Sequence, residues 1–328
     1  MSRAFEKILL VTFLAGLTGL ETLYSQTEKQ LVPSDLKQQT IVTEPVTLSK
    51  GFLRIGAFAN YRVADKFFDD ERKKDYFSYN EWSSKSAFNL TLQYGLNDRM
   101  EVGIVTEYMY NRIETETVKV NTGTNTSTTV QIRQKGIGFG DMRLDMKYQL
   151  IPEKKYRVSL TSLLSATLPT GEKNPRNVKS AEEYDLPVGT GNYAASAEIF
   201  ARTILYPYSF TGYLKYQYNF SGYKILDTDD PVPKHYRYGN RFETGIGTNL
   251  HLNDWIVMSN DISFFYEGQG TISNVISESM PCSWALTYVP NLVFQVKKFR
   301  LSESVSIPVW GRNTPADPLF VLRMQYIF

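Results

Sequence analysis

Tyr208-Ser209-Phe210-Thr211-Gly212-Tyr213-Leu214-Lys215-Tyr216-Gln217-Tyr218-Asn219-Phe220 is the stretch on which the reading turns. Tyr208, Phe210, Gly212, Leu214, Tyr216, Tyr218 and Phe220 take every second position. Successive side chains of a strand point to opposite faces, so this segment has one greasy face. It is longer than an ordinary strand of about five or six residues. Its aromatics bracket an apolar middle. That is what a sheet crossing a membrane requires, with rings at the two interfaces. A soluble sandwich, the rival reading, would put those rings in a dry core and leave the other face to solvent.

The same alternation extends in both directions. In Leu53-Arg54-Ile55-Gly56-Ala57-Phe58-Ala59-Asn60-Tyr61-Arg62-Val63 the odd positions are apolar or aromatic. Phe88, Leu90, Leu92 and Tyr94 repeat the pattern, and after the turn Gly95-Leu96-Asn97-Asp98 so do Met100, Val102, Ile104, Tyr108 and Tyr110. Met142, Leu144, Met146, Tyr148 and Leu150 alternate with charged and polar residues. Further strands are expected near 156–168, 191–204, 239–251, 255–268, 283–297 and 299–310, with a last one from Pro318 to Phe328. Short connectors at 95–98, 151–155, 205–207 and 251–254 interleave with long polar ones at 65–84, 112–135, 169–190, 222–238, 269–281 and 311–317. Within the second of these, Asn121 to Thr129 reads as a solvated loop tip.

Backbone groups in hydrocarbon must be paired internally, so such a sheet has to close. The expected fold is all-β: a transmembrane antiparallel up-and-down β-barrel of about twelve strands. It spans residues 50–328.

The N-terminus reads as export information. Arg3 and Lys7 precede an apolar run from Ile8 to Leu20, and Leu23-Tyr24-Ser25 offers a small residue before Gln26. The run is shorter than the roughly 20 residues of a spanning helix, so residues 1–25 are expected to be a signal peptide cleaved after Ser25. Residues 26–49 are polar and aperiodic, and read as a periplasmic leader. A plug or a tether is the alternative for this segment. The expected location is the bacterial outer membrane.

The 328 residues carry 22 Tyr, 19 Phe and 4 Trp, with 36 basic and 34 acidic side chains and a net charge of +2. No basic stripe appears, so no nucleic-acid partner is expected. One cysteine, Cys282, leaves no intramolecular disulfide and reads as a small residue near a strand start.

If the apolar positions face lipid, the intervening ones face the lumen. The expected pore-lining set is Arg54, Arg62, Glu101, Glu107, Asp141, Arg143, Asp145, Lys147, Arg157, Glu198, Arg202, Lys215, Arg241, Glu243, Asp261, Glu267 and Arg323. Opposite signs nearly cancel, which suggests paired charges rather than a ring of one sign. Only two histidines exist. His251 falls in an expected periplasmic turn. His235 falls in an outer loop near Asp227, Asp229 and Asp230, where an Asp–His pair could serve a hydrolase. Pro231 and Pro233 intervene, and the default is a solvated loop histidine. No catalytic residues, metal or cofactor are expected.

Three glycine motifs remain: Gly136-Ile137-Gly138-Phe139-Gly140-Asp141 followed by Lys147-Tyr148, then Leu168-Pro169-Thr170-Gly171, then Gly189-Thr190-Gly191-Asn192-Tyr193. Over the central third of the chain this order resembles the outer-membrane barrel family labelled meta-pathway phenol-degradation or transporter proteins. The resemblance implies a channel or transporter for small, perhaps aromatic, solutes and brings no catalytic residues with it. Glycine and proline at strand ends also simply make turns and bulges. The final Arg323-Met324-Gln325-Tyr326-Ile327-Phe328 resembles the terminal signal read by the barrel assembly machinery. Expected partners are that machinery, outer-membrane lipid and a small-molecule solute. The competing functions are surface binding or adhesion through the long loops, and hydrolysis.

Overall fold

The period-two segments pair edge to edge until the last meets the first. The computed structural model describes residues 47–328 apart from 78–80, 116–117, 122–126, 153–157, 181–182, 227–229 and 278–279. The expected signal peptide, nearly all of the leader, the core of the 121–129 loop tip and Arg157 therefore lie outside the described residues.

Twelve antiparallel strands form the wall: β1 (Leu53–Ala64), β2 (Glu81–Asn97), β3 (Met100–Thr115), β4 (Arg133–Phe139 and Met142–Ile151), β5 (Val158–Leu168), β6 (Ala194–Leu205), β7 (Tyr208–Asn219), β8 (Arg241–His251), β9 (Ile256–Glu267), β10 (Ser283–Val296), β11 (Phe299–Arg312) and β12 (Leu319–Ile327). Each pairs with its sequence neighbours. β12 pairs with β1, Arg54 opposite Ile327 and Tyr61 opposite Phe320, which removes both edges. The terminal residue completes the seam: the Phe328 N–H donates to the Leu53 carbonyl at 2.8 Å.

Connectors alternate as expected. Short turns fall between β2 and β3, β4 and β5, β6 and β7, β8 and β9, and β10 and β11, with long connections at the opposite end. The strands run further into the long connections than the alternation indicates. β2 begins at Glu81 and β3 continues to Thr115. There polar residues predominate on both faces, so the period-two signal fades although the pairing continues. The long connectors also carry structure of their own. Lys66–Phe68 pairs with Lys74–Tyr76 and Thr314–Pro315. Val118–Asn121 pairs with Ser127–Val130. Gly222–Lys224, Lys234–Arg237, Thr271–Ile272 and Val275–Ile276 build a small sheet.

β4 has one internal break. Its upper part pairs with Tyr108–Glu114 and its lower part with Met100–Val105. Gly140 and Asp141 belong to neither, and the phase shifts by one residue across them. Ile137 and Phe139 face outward above the break; Leu144, Met146 and Tyr148 do so below it.

The barrel is inside out relative to a soluble protein. Leu214 is 51% exposed and Ile246 69%, whereas Glu101 and Lys147 are each 2% exposed. Exposed rings gather at both rims of the wall. Tyr94, Tyr148, Tyr208, Trp255, Phe299, Tyr326 and Phe328 mark the short-turn end, and Tyr61, Tyr108, Tyr216, Tyr218, Tyr266 and Trp310 the other. These are the two girdles of a transmembrane barrel.

Candidate functional site

The candidate site is the lumen. Strand pairing places charges of opposite sign directly across from one another, the sheet analogue of helical ion pairs. At the short-turn end Glu101 stands opposite Lys147, with Nζ 3.2 Å from Oε1. Arg54 reaches the same carboxylate at 3.8 Å and donates to Gln93 Oε1 at 3.1 Å. Higher up, Glu198 faces Lys215 and Lys215 faces Glu243, the latter pair 3.5 Å apart. Arg241 pairs with Glu243 and approaches Glu267 at 3.9 Å. Arg143 holds Asp145 with two bonds of 2.9 and 3.0 Å. These charges form separate clusters of mixed sign, not a ring of one sign.

The remaining expected lumen residues take varied roles. Arg323 lies over the Phe58 ring at 5.4 Å. Arg202 is buried at the level of Ser159. Asp261 occupies the space that a side chain at Gly247 would fill: a Cβ there would come within 1.6 Å of Oδ1. Glu107 lies beside Gly140, and Arg62 stands opposite Lys85. Asp141 faces a loop and not the open lumen. Its carboxylate accepts from the Gly171 N–H at 3.0 Å, from the Thr190 N–H at 2.8 Å and from the Thr190 hydroxyl.

That carboxylate explains the three glycine motifs, because they meet. Thr170 Oγ1 donates to the Gly140 carbonyl at 3.1 Å and accepts from the Met142 N–H at 3.0 Å. Gly171 and Gly189 lie back to back: a Cβ on Gly189 would sit 2.6 Å from the Gly171 carbonyl carbon and oxygen. Tyr236, fully buried, donates its hydroxyl to the Thr190 carbonyl. Beside it Lys224 sits over the Tyr236 and Tyr238 rings at 4.7 and 4.8 Å. Burial lowers the Lys224 pKa and pushes the Tyr238 phenol up to about 12. The connection from β5 to β6 and the small sheet are thereby knotted into a roof at the long-loop end.

The other end has a floor. The residues just before β1 turn back against the wall. The Leu48 N–H donates to Glu101 Oε2 at 2.8 Å, and Thr47 Oγ1 reaches Gln149 Oε1 at 3.4 Å. Leu48 is buried, and the Ser49 carbonyl packs where a Gly95 side chain would be, 2.2 Å from its ideal Cβ.

Between floor and roof, part of the inner surface is apolar. Val105, Met109, Leu163, Phe200, Val289 and Val293 occupy inward positions and are buried. The parity reading passes over them because it selects charges. It also leaves Lys85 and Arg300 unnamed, although Arg300 shares inward parity with Ser302 and Ser304.

Both histidines differ from expectation. His251 is the last residue of β8, buried with its side chain inward and 6.0 Å from the Tyr206 ring. β8 runs to the very turn, so a residue read as connector belongs to the wall. His235 packs on Tyr223 at 5.2 Å, and Asp230 instead pairs with Lys234 at 3.0 Å, which holds its carboxyl below the usual range. Asp227 and Asp229 lie outside the described residues. Among the described residues no group of three His, Cys, Asp or Glu side chains could hold a metal ion.

The geometry has a solved counterpart. The fold matches that of an outer membrane channel from Pseudomonas putida F1, with a TM-score of 0.66 and 12% identity over 88% of this chain and 100% of that one. The likeness shows the fold. The translocator domain of the autotransporter NalP from Neisseria meningitidis (TM-score 0.47, 7% identity, 86% of this chain and 89% of that one) is more distant. So is the Pseudomonas putida toluene transporter TodX (TM-score 0.42, 9% identity, 85% and 90%). No protein-family model and no curated protein matches the chain.

Proposed function

We propose that this barrel sits in the bacterial outer membrane and passes small apolar, in particular aromatic, solutes without an energy source. The observation that carries this reading is the composition of the lumen. Its charges neutralise one another in pairs, and Met109, Leu163, Phe200, Val289 and Val293 face inward beside them. Twelve strands enclose less space than the 16–18 of a general porin. A floor and a roof restrict that space further. A water-filled sieve needs neither apolar lining nor two closures. The resemblance of the roof motifs to the meta-pathway phenol-degradation barrels supports an aromatic solute.

Uptake into cells expressing the barrel, measured for a solute series of rising size and hydrophobicity, tests the reading. Rates should exceed those of barrel-free cells for small aromatics and not for sugars of equal volume. Equal rates for both classes would sink the idea.

Three consequences follow for the ends and the middle of the path. Export implies that the mature chain starts at Gln26, which N-terminal sequencing of protein from outer membranes checks; an intact Met1 would count against a cleaved signal. The last strand, ending in Phe328, then addresses the chain to the assembly machinery. Deleting residues 26–49 removes the floor at Thr47 and Leu48. Single-channel conductance in planar bilayers should rise several-fold, and an unchanged trace would mean that the floor is not the constriction. Lys215 stands between Glu198 and Glu243. Lys215→Gln should remove one positive charge from between two carboxylates and raise the potassium-over-chloride permeability ratio by about two- to fivefold. A reversal potential that stays put would place the ion path elsewhere.

A further inference from the structure

One inward carboxylate lacks a cation. Glu101, Asp145, Glu198, Glu243 and Glu267 each have a lysine or an arginine beside them. Asp261, midway along β9 and so at the middle of the membrane, has none among its strand neighbours. In the register it stands between Gly247 and Val289, with Gly245, Asn249, Thr287 and Asn291 on the diagonals. It is 8% exposed, and its Oδ2 is buried without a hydrogen-bond partner. A buried, uncompensated charge is costly and does nothing to hold a wall together.

The neutral groups around it are already engaged. Thr211 Oγ1 donates to the Gly247 carbonyl at 3.4 Å. Asn249 Nδ2 donates to Ser209 Oγ at 3.1 Å, and Asn249 Oδ1 accepts from Ser259. Ser263 is hydrogen-bonded to the Tyr213 phenol. Asn291 Oδ1 is a second buried acceptor with no partner, diagonal to Asp261 across the β9–β10 pair. What is missing is a donor, and a positively charged one. The surroundings also suit a ring. Tyr213 lies over Gly245, where a Cβ would come within 2.5 Å of its Cε1, and it packs on Phe200 at 6.2 Å. Val289 and Val293, 4% and 1% exposed, line the other side. A carboxylate and an aromatic face together hold a cation from two directions.

We propose that Asp261 is a recognition site for a cationic head group, and that among small aromatic solutes the barrel favours those carrying a protonated amine. The ammonium donates to Asp261 Oδ2 and Asn291 Oδ1 while its aromatic body lies against Tyr213 and Val289. A neutral hydrocarbon has no donor to give these acceptors, and an aromatic acid brings a second negative charge beside the first. The inference rests on the function proposed above and names the solute class for it.

The test uses the full-length barrel expressed in Gram-negative cells. The probes are radiolabelled phenethylammonium and ethylbenzene, nearly the same in shape and different in charge. Cells with the wild-type barrel should take up both faster than barrel-free cells. Asp261→Asn, which keeps the shape and removes the charge, should lower the ratio of ammonium to hydrocarbon uptake by about tenfold. Val289→Lys sets a resident ammonium opposite Asp261 and should lower the same ratio by a similar factor. Heat-modifiability on gels confirms that each variant is a folded barrel. An unchanged ratio in Asp261→Asn, with ethylbenzene still entering faster than in barrel-free cells, would overturn the cation site and leave the function standing. Wild-type uptake of ethylbenzene no faster than in barrel-free cells would overturn the proposed function itself.

Discussion

Replacing Lys147 by methionine should destabilise the barrel by about 3–5 kcal/mol. Glu101 and Lys147 are each 2% exposed, and the ammonium is 3.2 Å from the carboxylate. Removing the cation leaves a buried carboxylate whose remaining help is the Leu48 N–H at 2.8 Å and Arg54 at 3.8 Å. Losing one member of a buried pair costs far more than the pair contributes as a whole, because the survivor keeps its desolvation penalty. The double variant Lys147→Met with Glu101→Gln should therefore recover most of the loss. Urea unfolding of the reconstituted barrel, followed by tryptophan fluorescence, reads both values. A loss below about 1 kcal/mol in the single variant would mean that water reaches the pair and screens it.

Asp141→Ala should release the roof. The carboxylate gathers the Gly171 N–H, the Thr190 N–H and the Thr190 hydroxyl, and hydrogen bonds to a charged group contribute about 1.5–3 kcal/mol each when well shielded. The site is partly exposed, so a total of about 2–3 kcal/mol is expected, concentrated in the connection from β5 to β6 and not in the wall. Trypsin cleavage at Lys173, Arg176 and Lys179 should accelerate by about tenfold or more while the heat-modifiability of the barrel is kept. Gly189→Ala tests the same knot from the other side, since its Cβ would meet the Gly171 backbone at 2.6 Å. If both variants resist trypsin like the parent, the roof is held by Tyr236 and the small sheet instead.

The residues that were legible and those that were not differ in kind. Arg54, Lys147, Glu198 and Arg323 were readable as inward because each stands between two apolar neighbours on its strand. Phe200 and Val293 occupy inward positions too, but an apolar residue at an inward position breaks the rule that identifies the face. Asp141 fits the alternation on paper, yet β4 breaks at that point and the side chain turns to a loop 30 to 49 residues further along the chain. The upper ends of β2 and β3 gave no alternating signal because polar residues predominate on both of their faces.

Side-chain parity is a local property, carried by each residue and its neighbours two places away. It was enough to establish the strand count, the alternation of connectors, the lipid-facing surface and the closure of the sheet, since hydrocarbon tolerates neither polar outer faces nor open edges. Which charge meets which, how three distant glycine motifs lock into one roof, and where Thr47 and Leu48 come to rest depend on register around a closed ring. Register is settled only when all twelve strands pair together, and that information is held by the tertiary structure alone.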